Sequence, residues 1–388
     1  MKIAILGSSD TVHIQRLVQA FVQRGHDVHV LSMKPFPIPG ATFERFKVPP
    51  FGWRYPYRWR RRWTAYMRDL FRRFDVISVH FLSDWGITES VAAEGCLVVK
   101  AYGSDVDHPP DTPPPGVELI EARRSLLQCA DRVVAPSRWF REKVAAYGAI
   151  DPAKIDVLPF GVDTERFTPA CRLTGWKAGP TRVVGFCKGF EPVYAPLSFI
   201  EAASRVLVAC PDVRFELVGE GSLRQTCRER AESLGIGHAM RWIDFLPHED
   251  LPGIMSSWDV VAITSVKESF CVTAIEAAAM ELPVVATDVG GLRESVEHGR
   301  TGLLVEPGKP HLIADGLVTL LNDSARRREM GACARRRVAE RYQWQHCVDR
   351  WIDIFKTVRA QRNSMRRRES RITAGNPIGT LLNVSGDR

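Results

Sequence analysis

The chain has 388 residues and is 45% hydrophobic, enough for two domains of ordinary size, each with its own core. Its formal net charge of +8 agrees with an anionic partner without selecting one. Nine cysteines, scattered and without a C-x-x-C pair, argue against a disulfide framework or a zinc site, and no apolar run nears the roughly 20 residues that span a bilayer.

Residues 2–6 predict a strand, Gly7-Ser8-Ser9 a small-residue loop, 14–23 a helix ended by Gly25, and 28–31 a second strand. This opens a Rossmann-like half. The full G-x-G-x-x-G fingerprint is missing, so no dinucleotide cofactor is supported. No signal-like segment follows Met1, and the expected location is cytoplasmic.

The stretch 54–74 interleaves basic and aromatic residues. Arg54, Arg58, Arg60, Arg61, Arg62, Arg68, Arg72 and Arg73 stand against Asp69, while Trp59, Trp63, Tyr66, Met67, Leu70 and Phe74 recur at helical spacing. Three readings fit: a core-packing helix with a solvated basic back, a helix at an anionic membrane surface, and a nucleic-acid surface. Aromatics among arginines suit lipid headgroups, and no nucleic acid is expected.

Strands at 75–79 and 97–101 end in two polar loops, one from His80 to Gly86 and one from Tyr102 to Asp105. In a two-domain enzyme an acceptor would be met there. Asp105-Val106-Asp107 spells D-x-D, but its Rossmann-like surroundings set a metal reading aside. A proline-rich loop (109–115), a helix (117–129), a strand (132–135), a helix capped by Ser137 (138–147) and a strand (155–158) lead to Pro159-Phe160-Gly161-Val162-Asp163.

After a linker-like stretch (169–180), strands are predicted at 182–186, 214–218 and 240–245, and a helix at 251–258. An apolar strand follows at 260–264. Then comes K-E-S-F-C-V-T-A-I-E-A-A-A-M-E-L-P-V-V-A-T-D-V-G-G-L (267–292), with a helix from near Phe270 to Pro283 and a strand at 284–287. Strand, loop, helix, strand is one βαβ unit, whose ligands lie beyond the carboxyl ends of the strands. Glu268 in the loop suits sugar hydroxyls, Glu276 on the helix suits a ribose, and the N–H groups of Phe270, Cys271 and Val272 between them suit a diphosphate. Equally, Thr273-x-x-Glu276 fits a capping box and Glu268 a solvated loop residue.

The phrase from Glu268 through Gly290-Gly291-Leu292-Arg293-Glu294, continuing into G-R-T-G-L-L-V-E-P-G, resembles the donor-site signature of the retaining family 4 glycosyltransferases. Cys271 and Glu281 stand where that family usually has glycine. The resemblance covers residues 1–360, most strongly 183–310. It implies an α/β protein of the GT-B fold, two Rossmann-like domains facing a central cleft. The implied boundaries are 1–168 for an acceptor-side domain, 169–340 for a donor domain, 341–362 for a helix crossing back, and 363–388 for a disordered tail.

The implied function is a metal-independent, retaining hexosyl transfer from a nucleotide-diphosphate sugar to a lipid-linked or polysaccharide acceptor. Lys188 and Glu268 are the implied catalytic residues. Lys188, Tyr194, Glu268, Phe270, Cys271, Val272 and Glu276 are the implied donor contacts, with Tyr194 in the place of a second basic residue, and the base is expected near Leu246-Pro247. Acceptor-side candidates are Gly7, His13, His80, Tyr102 and Asp105; the family often has histidine where Tyr102 stands. No cofactor is implied. A non-catalytic nucleotide-sugar binder of the same fold is the alternative.

Overall fold

The computed structural model describes residues 1–33, 36–45, 57–108, 113–171 and 181–374. Two parallel sheets carry the fold. The first comprises β1 (Lys2–Leu6), β2 (Asp27–Ser32), β3 (Thr42–Arg45), β4 (Val76–His80), β5 (Leu97–Lys100), β6 (Arg132–Ala135) and β7 (Ile155–Val157), in the order β3-β2-β1-β4-β5-β6-β7. The second comprises β8 (Val183–Cys187), β9 (Arg214–Val218), β10 (Met240–Ile243), β11 (Val260–Ile263), β12 (Val284–Thr287) and β13 (Gly302–Val305), in the order β10-β9-β8-β11-β12-β13.

Every residue of β4, β5, β11 and β12 is buried, as parallel strands covered on both faces must be. Alternation along β11 shows the two faces. Val260 and Ala262 join a cluster with Phe186, Phe199 and Phe215, whereas Val261 and Ile263 join one with Trp258, Phe270 and Ile275. Chain order reverses between β1 and β4 in the first sheet and between β8 and β11 in the second. Successive connections leave in opposite directions at such a point, which opens a crevice at the carboxyl ends of the strands.

Internal contacts divide the chain into two compact units. One holds Met1–Lys100, Glu121–Val133 and Trp351–Arg388, and the other Ala101–Ile120 and Val134–Arg350. Residues 101–120 and 134–168, grouped by sequence with the first domain, therefore cluster with the second sheet.

After β13 come two helices, Pro310–Asn322 and Ser324–Arg341, parted at Asp323, which caps the second by accepting the Arg326 N–H at 2.9 Å. Two further differences from the sequence reading are local. Strand β3 had no sequence counterpart. The last helix, Trp344–Ala374, runs past residue 362, so the tail does not begin at 363. Arg362 and Arg366 are tied down within the first unit. Arg362 donates to the Ala92 carbonyl at 2.7 Å and lies 3.4 Å from Asp131, and Arg366 donates to the Glu94 carbonyl. Residues 375–388 of the expected tail lie outside the described residues.

Candidate active site

The loops after β8 and β11 meet at the switch point of the second sheet. Thr264, just past β11, donates to the carbonyls of Tyr194 (2.7 Å) and Ala195 (3.0 Å), which binds the two loops together at their roots. Lys188 from one loop and Glu268 from the other then pair at 2.6 Å, and Ser265 Oγ donates to the same Glu268 oxygen at 2.9 Å. Both charged side chains are about nine-tenths buried, with 11% and 9% exposed. Burial penalises the Lys188 ammonium, yet the acidic groups around it, Cys271 and Glu268 foremost, hold its pKa well above the usual lysine value. Its Nζ also sits 5.1 Å from the centre of the Tyr194 ring, a cation–π contact.

The helix Val272–Ala279 begins directly after this loop, with Cys271 as its N-cap residue. Of its first-turn N–H groups that of Ala274 donates to the Cys271 carbonyl at 3.3 Å, while those before it have no intrahelical acceptor, so the positive end of the helix dipole lies at this loop. Backbone packing holds the loop in place. A β-carbon at Gly290 would lie 2.2 Å from the Glu268 carbonyl oxygen, and one at Gly291 would lie 2.1 Å from that of Ser269, so only glycine fits. Ser137 caps the helix Arg138–Gly148, accepting from the Phe140 N–H at 3.1 Å, and donates to the Ser269 carbonyl at 2.6 Å. Ser269 Oγ in turn donates to the Tyr102 carbonyl at 2.5 Å.

Cys271 and Glu281, the two positions that depart from the family's glycines, both have left-handed backbones, with φ of 77° and 57°. At Glu281 the reason is a helix-closing turn. Leu282 N–H donates to the Ala277 carbonyl at 2.9 Å and Glu281 N–H to that of Ala278 at 3.1 Å, a motif that favours glycine at its left-handed residue. A side chain in this backbone region costs roughly 1–2 kcal/mol. Burial first, and Glu268 second, push the Cys271 thiol up to about 12, so at neutral pH it is protonated and Glu268 is the charged partner of Lys188.

Glu276 lies further along the same helix, and its Oε1 is 2.7 Å from His248 Nε2. Thr273 Oγ1 donates to the Cys187 carbonyl at 3.2 Å. Neither side chain turns back on the helix N-terminus, so the capping-box reading fails. Phe270, fully buried, packs at a tilt against Phe160 and edge-on against Tyr342, and contributes its backbone to the loop.

The acceptor-side candidates are placed differently from the sequence expectation. His80 is 1% exposed, bonded to Ser78 at 3.1 Å and packed on Trp351, and burial, then Lys100 and His13, push its pKa down to about 3. It is a buried, neutral ring held between Ser78 and Trp351. Gly7 packs on it, since a β-carbon there would meet the His80 β-carbon at 3.1 Å. His13 is half-buried on the helix Val12–Gln23. Asp105 is also fully buried, and its carboxylate clamps its own loop through the N–H groups of Gly103 (2.8 Å) and Tyr102 (3.1 Å). Tyr102 is half-buried beside Phe160, and burial followed by Asp105 raises its phenol, which stays neutral. Asp107 pairs with Lys267 at 3.2 Å, so the two carboxylates of the D-x-D serve different partners.

Sequence reasoning missed His248 and Ser265, and gave Glu294, the last residue of the quoted phrase, no role. The Glu294 carboxylate accepts the Arg138 and Trp139 N–H groups at 3.0 and 2.9 Å, which neutralises the start of that helix. Neither His248 nor Ser265 belongs to a spacing pattern readable in one chain.

Residues 11–166 match the family model described as Glycosyltransferase Family 4, and residues 176–337 the one described as Glycosyl transferases group 1. The D-inositol 3-phosphate glycosyltransferase of Corynebacterium urealyticum is 34% identical over 220 residues, 53% of this chain and 52% of that protein. Its namesake from Nocardia farcinica is 35% identical over 257 residues, 63% and 56% of the two chains. The chain thus spans between 52% and 61% of the length of the curated relatives it matches. Among solved structures, a glycosyltransferase from Rickettsia africae ESF-5 superposes with a TM-score of 0.77 at 16% identity, covering 92% of this chain and 98% of that one. HepE of Anabaena, in complex with UDP and glucose, gives 0.74 at 19%, covering 92% and 99%. With both halves matched by glycosyltransferase family models and the architecture shared with these structures, the chain belongs to family 4 of the glycosyltransferases, with the GT-B fold.

Proposed function

We propose that the chain transfers a hexose from a nucleotide-diphosphate sugar to a hydroxyl acceptor with retention of configuration. The observation that carries this reading is the buried Lys188–Glu268 pair at 2.6 Å, beside the open N-terminus of the helix Val272–Ala279. When the glycosidic C–O bond breaks, negative charge grows on the diphosphate oxygen. Lys188 and the N–H groups of Cys271 and Val272 stabilise it, the part a divalent ion plays in other architectures. The acceptor oxygen attacks C1 from the face that the diphosphate leaves, and its proton passes to the departing phosphate oxygen. Glu268, losing Lys188 to the diphosphate, takes hydroxyls of the sugar, while Glu276 takes those of the ribose. The relatives named for D-inositol 3-phosphate make a phosphorylated polyol a first acceptor to try, beside lipid-linked sugars.

The test is a thermal-shift screen of nucleotide sugars followed by turnover with EDTA present. A donor held at a hundred times its Kd stabilises by roughly 2.7 kcal/mol. A stabilising donor that is also cleaved, with or without acceptor, supports the enzyme. Binding with no cleavage under any condition turns the reading to the non-catalytic binder.

We further propose that the first unit meets an anionic membrane surface. The helix Tyr57–Arg73 buries Met67, Leu70 and Phe71, bonds Trp63 to the Trp85 carbonyl and Tyr66 to Glu44, and leaves Arg61, Arg62, Arg72 and Arg73 exposed. Packing thus claims those aromatics, and Arg61 and Arg62 are left as the contact. Arg72 pairs with Glu94 at 2.8 Å, and the cavity of about 610 Å³ that it lines with Arg359, Arg362 and Arg366 also holds Asp75, 2.8 Å from Arg359. Each basic side chain near such a surface contributes about 1 kcal/mol, so Arg61→Ser with Arg62→Ser is expected to weaken vesicle binding by roughly thirtyfold. Sedimentation with phosphatidylserine vesicles at low salt measures this. Equal binding by the variant, or none by either protein, makes the face an ordinary solvated one.

A further inference from the structure

Glu276 has only 5% of its side chain exposed, and a carboxylate so placed needs a partner. The partner comes from elsewhere in the fold. His248 belongs to the loop that follows β10, and its Nε2 stands 2.7 Å from Glu276 Oε1. A carboxylate accepts, so the imidazole donates through Nε2. The ring also packs on Phe167, which is fully buried, with the centroids 5.3 Å apart. An apolar wall against the ring and a charge-assisted bond at its edge leave the imidazole little freedom to turn. Among the described residues, the second Glu276 oxygen receives no hydrogen bond.

We propose that His248 is a positioning residue for the nucleotide. It holds Glu276 through one oxygen, so that the other stays aimed to accept a ribose hydroxyl. The proposal rests on Glu276 being the ribose group. The loop after β10 then acts on donor selection through a side chain that itself touches no donor atom. A freely rotating carboxylate would spend part of its binding free energy on being ordered; one fixed in advance does not.

A structural role alone would be to neutralise a buried charge, which would affect every nucleotide alike. The two roles separate in one measurement. UDP, GDP and ADP are each compared with the 2′-deoxy form by calorimetry, in the intact protein and in His248→Ala, His248→Gln and Glu276→Gln. The intact protein is expected to prefer the ribose form of the nucleotide it binds best by about tenfold or more, the worth of a buried hydrogen bond to a charged group. In His248→Ala that preference should largely vanish through loss of ribose-form affinity, with the deoxy form little changed. His248→Gln, whose amide can still donate, should keep part of it. Should His248→Ala melt below the assay temperature, His248→Gln beside Glu276→Gln decides, since partial retention in the first and loss in the second still supports positioning. A full preference in a folded His248→Ala, or equal loss for both sugar forms, overturns the proposal while leaving the ribose assignment standing. If Glu276→Gln keeps the full preference, or no nucleotide binds, the ribose assignment itself is wrong and the role of His248 falls with it.

Discussion

Lys188→Ala is expected to lower both the melting temperature and donor turnover. The substitution leaves the Glu268 carboxylate in a pocket where 9% of its side chain is exposed, without its cation. Removing one partner of a buried ion pair costs about 3–5 kcal/mol, far more than the pair contributes beyond an apolar replacement. Lys188→Met combined with Glu268→Gln removes both charges and should recover most of the lost stability in thermal denaturation. Turnover should stay low in the double variant, since no ammonium then faces the leaving diphosphate, and a preorganised donor of this kind is worth on the order of 10²–10³ in rate. Near-normal turnover of Lys188→Ala at saturating donor would remove Lys188 from the mechanism. An unchanged melting temperature would show that the pair is open in solution.

Glu276→Ala should weaken nucleoside-diphosphate binding by about tenfold to a hundredfold, because a buried hydrogen bond to a charged group is worth roughly 1.5–3 kcal/mol. Glu268→Ala should behave differently. Its proposed partners are sugar hydroxyls, so nucleoside-diphosphate affinity should change little while turnover of the sugar-bearing donor falls. Calorimetry with the nucleoside diphosphate, followed by steady-state kinetics, separates the two carboxylates. Unchanged nucleotide affinity in Glu276→Ala would cancel the ribose role. The reverse pattern, with Glu268 governing nucleotide binding, would exchange the assignments.

Much of this architecture is legible in the chain because buried parallel strands have to be apolar on both faces. Val260-Val261-Ala262-Ile263 and Val284-Val285-Ala286 announce themselves for that reason. For Glu268 and Glu276, the βαβ unit places a loop and a helix N-terminus, but spacing alone leaves a solvated-loop and a capping-box reading equally open, and the resemblance is what singles them out. What stayed hidden depends on contacts between distant parts of the sequence. His248 reaches Glu276 across 28 positions of sequence, and Ser137 reaches Ser269 across 132. His80 shows the opposite failure. A histidine at the end of a strand looks like a cleft residue until Ser78 and Trp351 close over it. The arginines after residue 362 read as a tail because their charge suggests solvation, whereas the Glu94 carbonyl of the first unit holds Arg366 on the last helix.

Cys271 has a consequence for how this pocket is built. Its backbone takes a shape that glycine adopts freely and a side chain resists, so local preference does not hold the loop in that shape. The neighbours impose it, through the two glycines at 290 and 291 pressed against the loop from one side and the hydroxyls of Ser137 and Ser269 bracing it. A loop moulded from outside keeps its form when its own occupant changes. Position 271 is thus a dial for the depth of the space beside Lys188. Glycine there would deepen that space and relax the chain in one step, and the thiol is a stopper the scaffold carries under strain.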